Sequence, residues 1–401
     1  MKLSQNKRGI IKLSITFIIF CLAITMIVTS AIYIEHNESI ISKLAGENLV
    51  DQKNTYTYSN HHFYGELLNL SIEEQVKIKT YQLTNNHQEV VMDEKYDSNL
   101  GIMFNLSLLD EGEYQIHINH KPIYATPKQL EAVETVWYTV MRHGYANKVT
   151  VETHRNQLTL TVEKVDQLPE GVYDILIDAG HGGLDTGAVS NRLIEAEEVL
   201  IISKYIASRL EEYGLKVKLT REDEFDPAGE DNYNYKESPY YKNGRVEQIY
   251  QHQGKYLISN HLNALDTTFS GFEIYSSIFA SNAWSDLISK ELLKTGHLAR
   301  DSVNNEFRVS KGSYKKHFTG EHGNLDYYYI IRETGGPATD ASRLPLYNPN
   351  YIQVPNYGAE SILIEYVYMD NEADEQFWID NWQTLAEAVI KATLEYLGIN
   401  D

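Results

Sequence analysis

Three short apolar runs constrain this chain more than any other feature. They are Ile175-Leu176-Ile177, Leu257-Ile258 and Ile362-Leu363-Ile364. Each reads as a compact strand, and each delivers a metal-ligand or acid–base residue type just past itself: His181, His261 and Glu365. Strands are expected over Tyr173 to Asp178, Lys216 to Thr220, Tyr256 to Ser259, Gly271 to Tyr275, Tyr327 to Arg332 and Ser361 to Val367. Between the first two, Val199, Ile202, Ile206 and Leu210 recur at helical spacing within Glu195 to Tyr213, and Asp380 to Leu397 closes with a second helix. Strands alternating with helices predict an α/β domain over residues 172–398, with a mostly parallel twisted sheet and flanking helices. In such sheets ligands bind at the carboxyl ends of the strands, where these three residues sit.

The chain upstream follows another grammar. Met1 to Lys12 holds four cations and no acid, and Leu13 to Ile34 is 22 residues without a charge. That length spans a bilayer as a helix, and the basic flank stays inside. The expected arrangement is a cytoplasmic segment 1–12, a single-pass signal-anchor 13–34 in the cytoplasmic membrane, and everything after it extracytoplasmic. Thr29-Ser30-Ala31 also offers a cleavage site, which would give a secreted form. Residues 35–60 are polar and suit a stalk. Residues 61–168 read as a small β-rich module, sandwich-like, with strands around Tyr114 to Ile118, Val149 to Val151 and Leu158 to Val162. Val133 to Met141 is expected to be helical. Leu168-Pro169-Glu170-Gly171 marks the boundary.

Composition narrows the chemistry. The formal net charge is −21, which argues against nucleic-acid partners, because neutralising phosphates takes Lys and Arg. One cysteine excludes a disulfide framework and any zinc site needing two thiolates. Catalysis therefore falls to His, Asp, Glu and Ser. A fourth candidate is Glu195, which heads the first helix 14 residues past His181; the glycine-rich loop between can fold it back. A carboxylate inside an apolar strand, as at Glu365, costs several kcal/mol unless it is paired or functional. Two imidazoles and one carboxylate make a three-ligand zinc site with an open position. A second carboxylate beside it can move protons between water and a leaving amine. That is the inventory for amide hydrolysis.

Asp178-Ala179-Gly180-His181-Gly182-Gly183-Leu184-Asp185-Thr186-Gly187-Ala188 resembles the opening motif of the zinc-dependent N-acetylmuramoyl-L-alanine amidases, the catalytic domains of cell-wall autolysins. Thr220-Arg221-Glu222-Asp223, Ser259-Asn260-His261-Leu262-Asn263-Ala264 and Ile364-Glu365-Tyr366-Val367-Tyr368-Met369-Asp370-Asn371 are similar to the family's later motifs. The resemblance covers residues 173–398. It implies one Zn2+ held by His181, Glu195 and His261, with Glu365 as catalytic base. Glu195 is chosen over Glu197 and Glu198 because Leu200, Ile202 and Ile206 follow it at the family's spacing. Arg245, Asn263 and Arg332 are candidate substrate-binding residues; Arg332 would end a strand on the same edge and meet a substrate carboxylate. The chain departs from the family at Val367, Tyr368 and Asp370, which replace Gly, Phe and Ser, and in the stretches Asp231 to Tyr241 and Gly335 to Ala359. His317 and His322 offer a weaker metal pair, read as a polar loop near the mouth of the site.

The implied activity is hydrolysis of the amide joining the muramic acid lactyl group to L-alanine of the peptidoglycan stem peptide. The expected partners are peptidoglycan, the membrane, and a protein for the β-rich domain. Two alternatives stand beside it. One is a zinc peptidase acting on another cell-wall amide, separable by its reaction products. The other is a silent or autoinhibited peptidoglycan-binding protein on an amidase fold, separable by binding without product.

Overall fold

The computed structural model describes residues 56–59, 62–65, 80–85, 87, 89–95, 106, 109–118, 121–122, 135–154, 157–229, 243–252, 254–278, 280, 282–300, 307–320, 323–333 and 359–399. The expected anchor 13–34, most of the stalk, Asp231 to Tyr241, His322 and nearly all of Gly335 to Ala359 lie outside them. Among the described residues, no helix is long and apolar enough to cross a membrane.

The β-rich part carries β1 (Tyr56–Ser59), β2 (His62–Gly65), β3 (Thr80–Asn85), β4 (Val90–Lys95), β5 (Gly112–Ile118), β6 (Lys121–Pro122), β7 (Thr135–Tyr138), β8 (Ala146–His154) and β9 (Gln157–Val165). β1 and β2 pair as a hairpin, and the others form one antiparallel sheet, β4-β3-β5-β9-β8-β7, with β6 on β5. Two expectations change here. Among the described residues β3 to β9 make a single sheet, not two facing layers. Residues 135–138 are a strand paired with β8, not part of a helix. Thr135, Val136, Trp137 and Tyr138 are β-branched and aromatic, which suits a pleated surface. Buried Asn147 donates to the Leu106 and Leu109 carbonyls at 2.8 and 2.9 Å and pins an irregular segment to β8.

The second part is the expected α/β sheet. Its elements are β10 (Ile175–Ala179), α1 (Glu195–Glu212), β11 (Val217–Leu219), α2 (Arg245–Gln251), β12 (Tyr256–Asn263), β13 (Glu273–Ser276), α3 (Ala283–Lys294), β14 (Arg308–Ser310), β15 (Ser313–Tyr314), β16 (His317–Gly320), β17 (Gly323–Asp326), α4 (Tyr329–Glu333), β18 (Glu360–Tyr368) and α5 (Glu372–Leu397). The strand order is β11-β10-β12-β18-β13-β15-β14. β11, β10, β12 and β18 run parallel; β13 enters antiparallel to β18. Alternation sorts the side chains. Ile175, Ile177, Ile258, Ile362 and Ile364 join the core under α1, α3 and α5. Leu176, Leu257, Leu363, Tyr275 and Tyr314 face the smaller core with Ile249, Ile330 and Ile331 from α2 and α4.

The run Tyr327 to Arg332 is therefore not a strand. β17 ends at Asp326, and α4 follows, burying Ile330 and Ile331 side by side against the sheet. A short apolar run fits either state, and here the preceding hairpin β16–β17 takes the extended role. The closing helix begins at Glu372, earlier than its apolar spacing suggests, because Asn371 caps it by accepting from the amides of Ala373 and Asp374. Gly398 ends it at φ 64°, a left-handed turn that favours glycine.

The two parts meet at the foot of the parallel sheet. Asp174, one residue before β10, accepts from the Met141 amide at 3.0 Å and the Lys216 amide at 2.8 Å. Arg142 donates to the Gly398 carbonyl at 2.9 Å. These contacts lie at the amino ends of the strands, opposite the end where ligands bind.

Trp284 on α3 is fully buried, stacked on Tyr396 and edge-on to Tyr256. Trp284→Ala is expected to cost about 3–5 kcal/mol, read as a lower denaturant midpoint with an unchanged slope.

Candidate metal centre

Parallel register sets the site. β10 pairs with β12 through Asp178↔Ser259 and Ala179↔Asn260, and β12 pairs with β18 through His261↔Glu365. Neighbouring positions on paired strands point to one face, so His261 and Glu365 emerge together. His181 lies two residues past β10 in a turn, at φ 60°. The loop then doubles back: Glu195 donates its amide to the Ala188 carbonyl at 2.9 Å, and Ala196 to that of Thr186 at 3.1 Å.

That folding brings three donor atoms together. His181 Nε2 is 3.0 Å from Glu195 Oε1, His261 Nδ1 is 3.1 Å from the same oxygen, and the two imidazole nitrogens are 3.2 Å apart. Among the described residues these three form the one convergent group of metal-ligand type. Zinc bonds of about 2.0–2.1 Å in tetrahedral geometry put ligand atoms roughly 3.3 Å apart. The donor set and its spacing fit that ion with little movement.

A second layer orients the ligands. Asp185 Oδ2 lies 3.0 Å from His181 Nδ1, so that nitrogen carries the hydrogen and Nε2 is left as the ligand atom. The other Asp185 oxygen accepts from the Gly187 amide at 3.1 Å. Glu195 accepts from the amides of Leu262 and Ala188 at 2.9 and 2.8 Å. The glycines of the motif make room: a Cβ on Gly187 would sit 2.6 Å from Glu195 Oε2, and one on Gly180 2.2 Å from His261 Cε1. Glu197 is exposed, and Glu198 accepts from Trp378 Nε1 at 2.8 Å; neither reaches the cluster.

Below this lies a buried polar knot. Asp178 Oδ1 accepts from Thr220 Oγ1 at 2.7 Å and Arg245 Nε at 2.9 Å; Oδ2 accepts from Ser259 Oγ at 2.7 Å. Arg245 also pairs with Asp226 at 3.0 Å and donates to the carbonyls of Ala179 and His181. Its side chain is 4% exposed and braces the His181 turn from below, where the sequence expected a substrate contact. Arg221 plays a parallel part on the carbonyls of Ala179, Gly180 and Ala196.

The other candidates divide. Asn263 ends β12, half-exposed, with Nδ2 donating to Glu273 Oε2 at 2.9 Å. Arg332 lies on α4, not at a strand end, and donates to the carbonyls of Asp326 and Tyr327 at 2.9 Å, with its guanidinium over Phe318. The structure does not bring it to the metal ligands. His317 is bonded locally to the Lys315 carbonyl at 2.9 Å.

The electrostatics separate two carboxylates. Burial works against ionising Glu195, but hydrogen bonds and charges from His181 and His261 outweigh it and hold its pKa well below the carboxylate range. Burial likewise opposes charge on His181, yet its bonds to Asp185 and Glu195 push it up to about 10. A cation entering the site would replace that proton. Glu365 goes the other way. Burial, then the charges of Glu195 and Glu273, raise it well above its usual value, and its Oε2 has no hydrogen-bond partner among the described residues. Sequence reasoning passed over Glu273. The signal was the one used for Glu365, a carboxylate inside an apolar strand, Phe272 to Tyr275.

Two outcomes follow from this geometry. Gly180→Ala is expected to lower zinc affinity by about tenfold or more, in line with disturbed metal supports, measured by competition with a chelating dye. For Glu365, folding raises the pKa, so its stabilising share is complete below the unfolded pKa of about 4.3 and lost as pH rises through the folded one. In metal-free protein Glu365→Gln is therefore expected to raise Tm at neutral pH and to give no gain below about pH 4, read by thermal unfolding across pH.

Residues 175–395 match the sequence profile of the family described as N-acetylmuramoyl-L-alanine amidase. The chain is 34% identical over 119 residues to the germination-specific N-acetylmuramoyl-L-alanine amidase of Bacillus subtilis (strain 168), covering 29% of this chain and 50% of that protein. It is 30% identical over 143 residues to the uncharacterized protein YqiI of the same strain, covering 33% and 63%. The chain thus spans about half to under two thirds of the length of these curated relatives. Among solved structures, the amidase AmiC2 of Nostoc punctiforme aligns at TM-score 0.39 and 22% identity, over 58% of this chain and 99% of that one. The CwlD amidase from Clostridioides difficile, solved in complex with the GerS lipoprotein, aligns at TM-score 0.41 and 22% identity, over 57% and 100%. With the family profile matched across more than half of its length, the chain belongs to the N-acetylmuramoyl-L-alanine amidase family.

Proposed function

We propose that this protein is a zinc-dependent N-acetylmuramoyl-L-alanine amidase, cutting the amide between the muramic acid lactyl group and L-alanine of the stem peptide. One observation carries the reading: His181 Nε2, Glu195 Oε1 and His261 Nδ1 converge beside the buried Oε2 of Glu365, which has no partner among the described residues. Zinc held by those three ligands supplies Lewis acidity, which acidifies water and polarises a carbonyl oxygen. Glu365 does the proton work. Among the described residues no donor reaches its Oε2, so that oxygen is available to take the proton that the attacking water loses. Because its environment favours the protonated form, Glu365 can then pass that proton to the departing amine nitrogen. The carbon–nitrogen bond breaks, leaving the lactyl carboxylate and the free amino group of L-alanine.

The setting follows from the amino-terminal sequence. The basic segment 1–12 and the uncharged run 13–34 support a single-pass anchor in the cytoplasmic membrane, with the catalytic domain, residues 172–398, facing peptidoglycan. Cleavage after Thr29-Ser30-Ala31 would release it. The β-rich domain, residues 61–168, is the part left for a partner or for targeting, and its edge strand β4 exposes Val90 and Val91.

The test is zinc content and muropeptide cleavage by the full chain, wild type beside Glu365→Ala. Both are expected to bind one zinc. Wild type alone should release stem peptides, with the variant slower by about 10²–10⁴-fold. Zinc in both without product from either would favour a silent binding protein. Cleavage at another amide would favour a peptidase.

A further inference from the structure

The site holds a second buried glutamate that the proposed reaction does not use. Glu273 opens β13, is 1% exposed, and pairs in register with Glu365 on β18. Its Oε2 accepts from Asn263 Nδ2 at 2.9 Å and from the Tyr368 hydroxyl at 2.6 Å. Its Oε1 accepts from Arg300 Nη1, and the Arg300 guanidinium lies over the rings of Phe269 at 4.6 Å and Tyr368 at 5.6 Å. A buried carboxylate is costly unless it is paired and hydrogen-bonded, and among the described residues this one is met by three donors. Asn263 comes from the tip of β12 and Tyr368 from the tip of β18. Glu273 thus ties three strand ends together around Glu365.

The chemical consequence falls on Asn263. A side-chain amide can present either its oxygen or its nitrogen. A carboxylate only accepts, so Asn263 must turn Nδ2 towards Glu273. That one contact fixes the direction of its carbonyl oxygen and of its second N–H. Asn263 is half-exposed and lies two residues beyond His261 on the same strand. One acceptor and one donor held in a rigid plane match the N–H and C=O of an amide.

We propose that Glu273 is a positioning residue which, through Asn263, aims an amide-recognising group at the acyl-amide flank of the substrate. The choice of substrate rests on the amidase reading. Tyr368 belongs to the same device. It stands where the family resemblance expects Phe, and its hydroxyl supplies one of the three bonds that hold Glu273.

The test reads binding without turnover. Full-length protein carrying Glu365→Ala is titrated calorimetrically with an intact muropeptide, with zinc content and Tm measured for every variant. Adding Asn263→Ala is expected to weaken binding about tenfold. Adding Glu273→Gln should weaken it comparably, because the one carbonyl oxygen is drawn to the Arg300 side and leaves the new NH2 facing Asn263 Nδ2. Combining the two should cost no more than Asn263→Ala alone. Tyr368→Phe, the milder change, should fall between these and the parent. Losses that multiply in the combined variant would show that Glu273 acts independently of Asn263 and overturn the proposal. So would unchanged affinity in Glu273→Gln, zinc lost from it, or no binding by the parent. Failure of the amidase reading looks different: wild type leaves the lactyl amide intact, while the coupling between Glu273 and Asn263 still appears in the affinities.

Discussion

The buried pair between Asp178 and Arg245 is the contact on which the rest of the site depends. Asp178 ends a strand interior and accepts from Thr220 after β11, from Ser259 on β12, and from Arg245 at the head of α2. One carboxylate thereby ties together the carboxyl end of β11, the middle of β12 and, through Arg245, the turn that follows its own strand. Burial alone would raise its pKa, but the Arg245 charge and the hydroxyl donors outweigh that and keep it ionised. The guanidinium in turn reaches the carbonyls of Ala179 and His181, so the left-handed turn at His181 is held from below. Removing either partner would strand the other charge in the interior, which is why such pairs matter for geometry even where their net stabilisation is small.

Above that knot, two glutamates with the same intrinsic chemistry are driven apart. Glu195 sits against two imidazoles and two backbone amides and is held ionised, the form in which a carboxylate could hold a metal. Glu365 sits one strand further along, with burial and two neighbouring carboxylates favouring its protonated form. Pairs of titratable groups pushed in opposite directions are how acid and base roles are assigned within one site. The division arises from strand order: β18 lies between β12, which carries His261, and β13, which carries Glu273.

Much of this was legible in the chain. The helix Glu195–Glu212 was readable from Val199, Ile202, Ile206 and Leu210, all fully buried. The strand before His181 was readable from its uninterrupted apolar run. Errors fell where a short segment had two physically acceptable states. Residues 135–138 extend because β8 offers an edge, and residues 329–333 coil because the preceding hairpin has used the extended option. The arginines meet a related limit. A guanidinium suits a substrate carboxylate and a buried aspartate equally well, and only the packing around Arg245 decides between them.

Sequence alone determined the inventory: an α/β alternation, glycines where imidazoles press on backbone, and two histidines and two glutamates beside apolar strands. These are local properties, carried by periodicity and by the cost of placing a charge among apolar residues. Tertiary structure decided which of those groups meet. The registers His261↔Glu365 and Glu273↔Glu365 join residues about one hundred positions apart in the chain, a long-range closure that no local pattern encodes. Only that closure shows that Glu365 stands between a metal-ligand cluster and a second buried carboxylate, and so what protonation its surroundings impose.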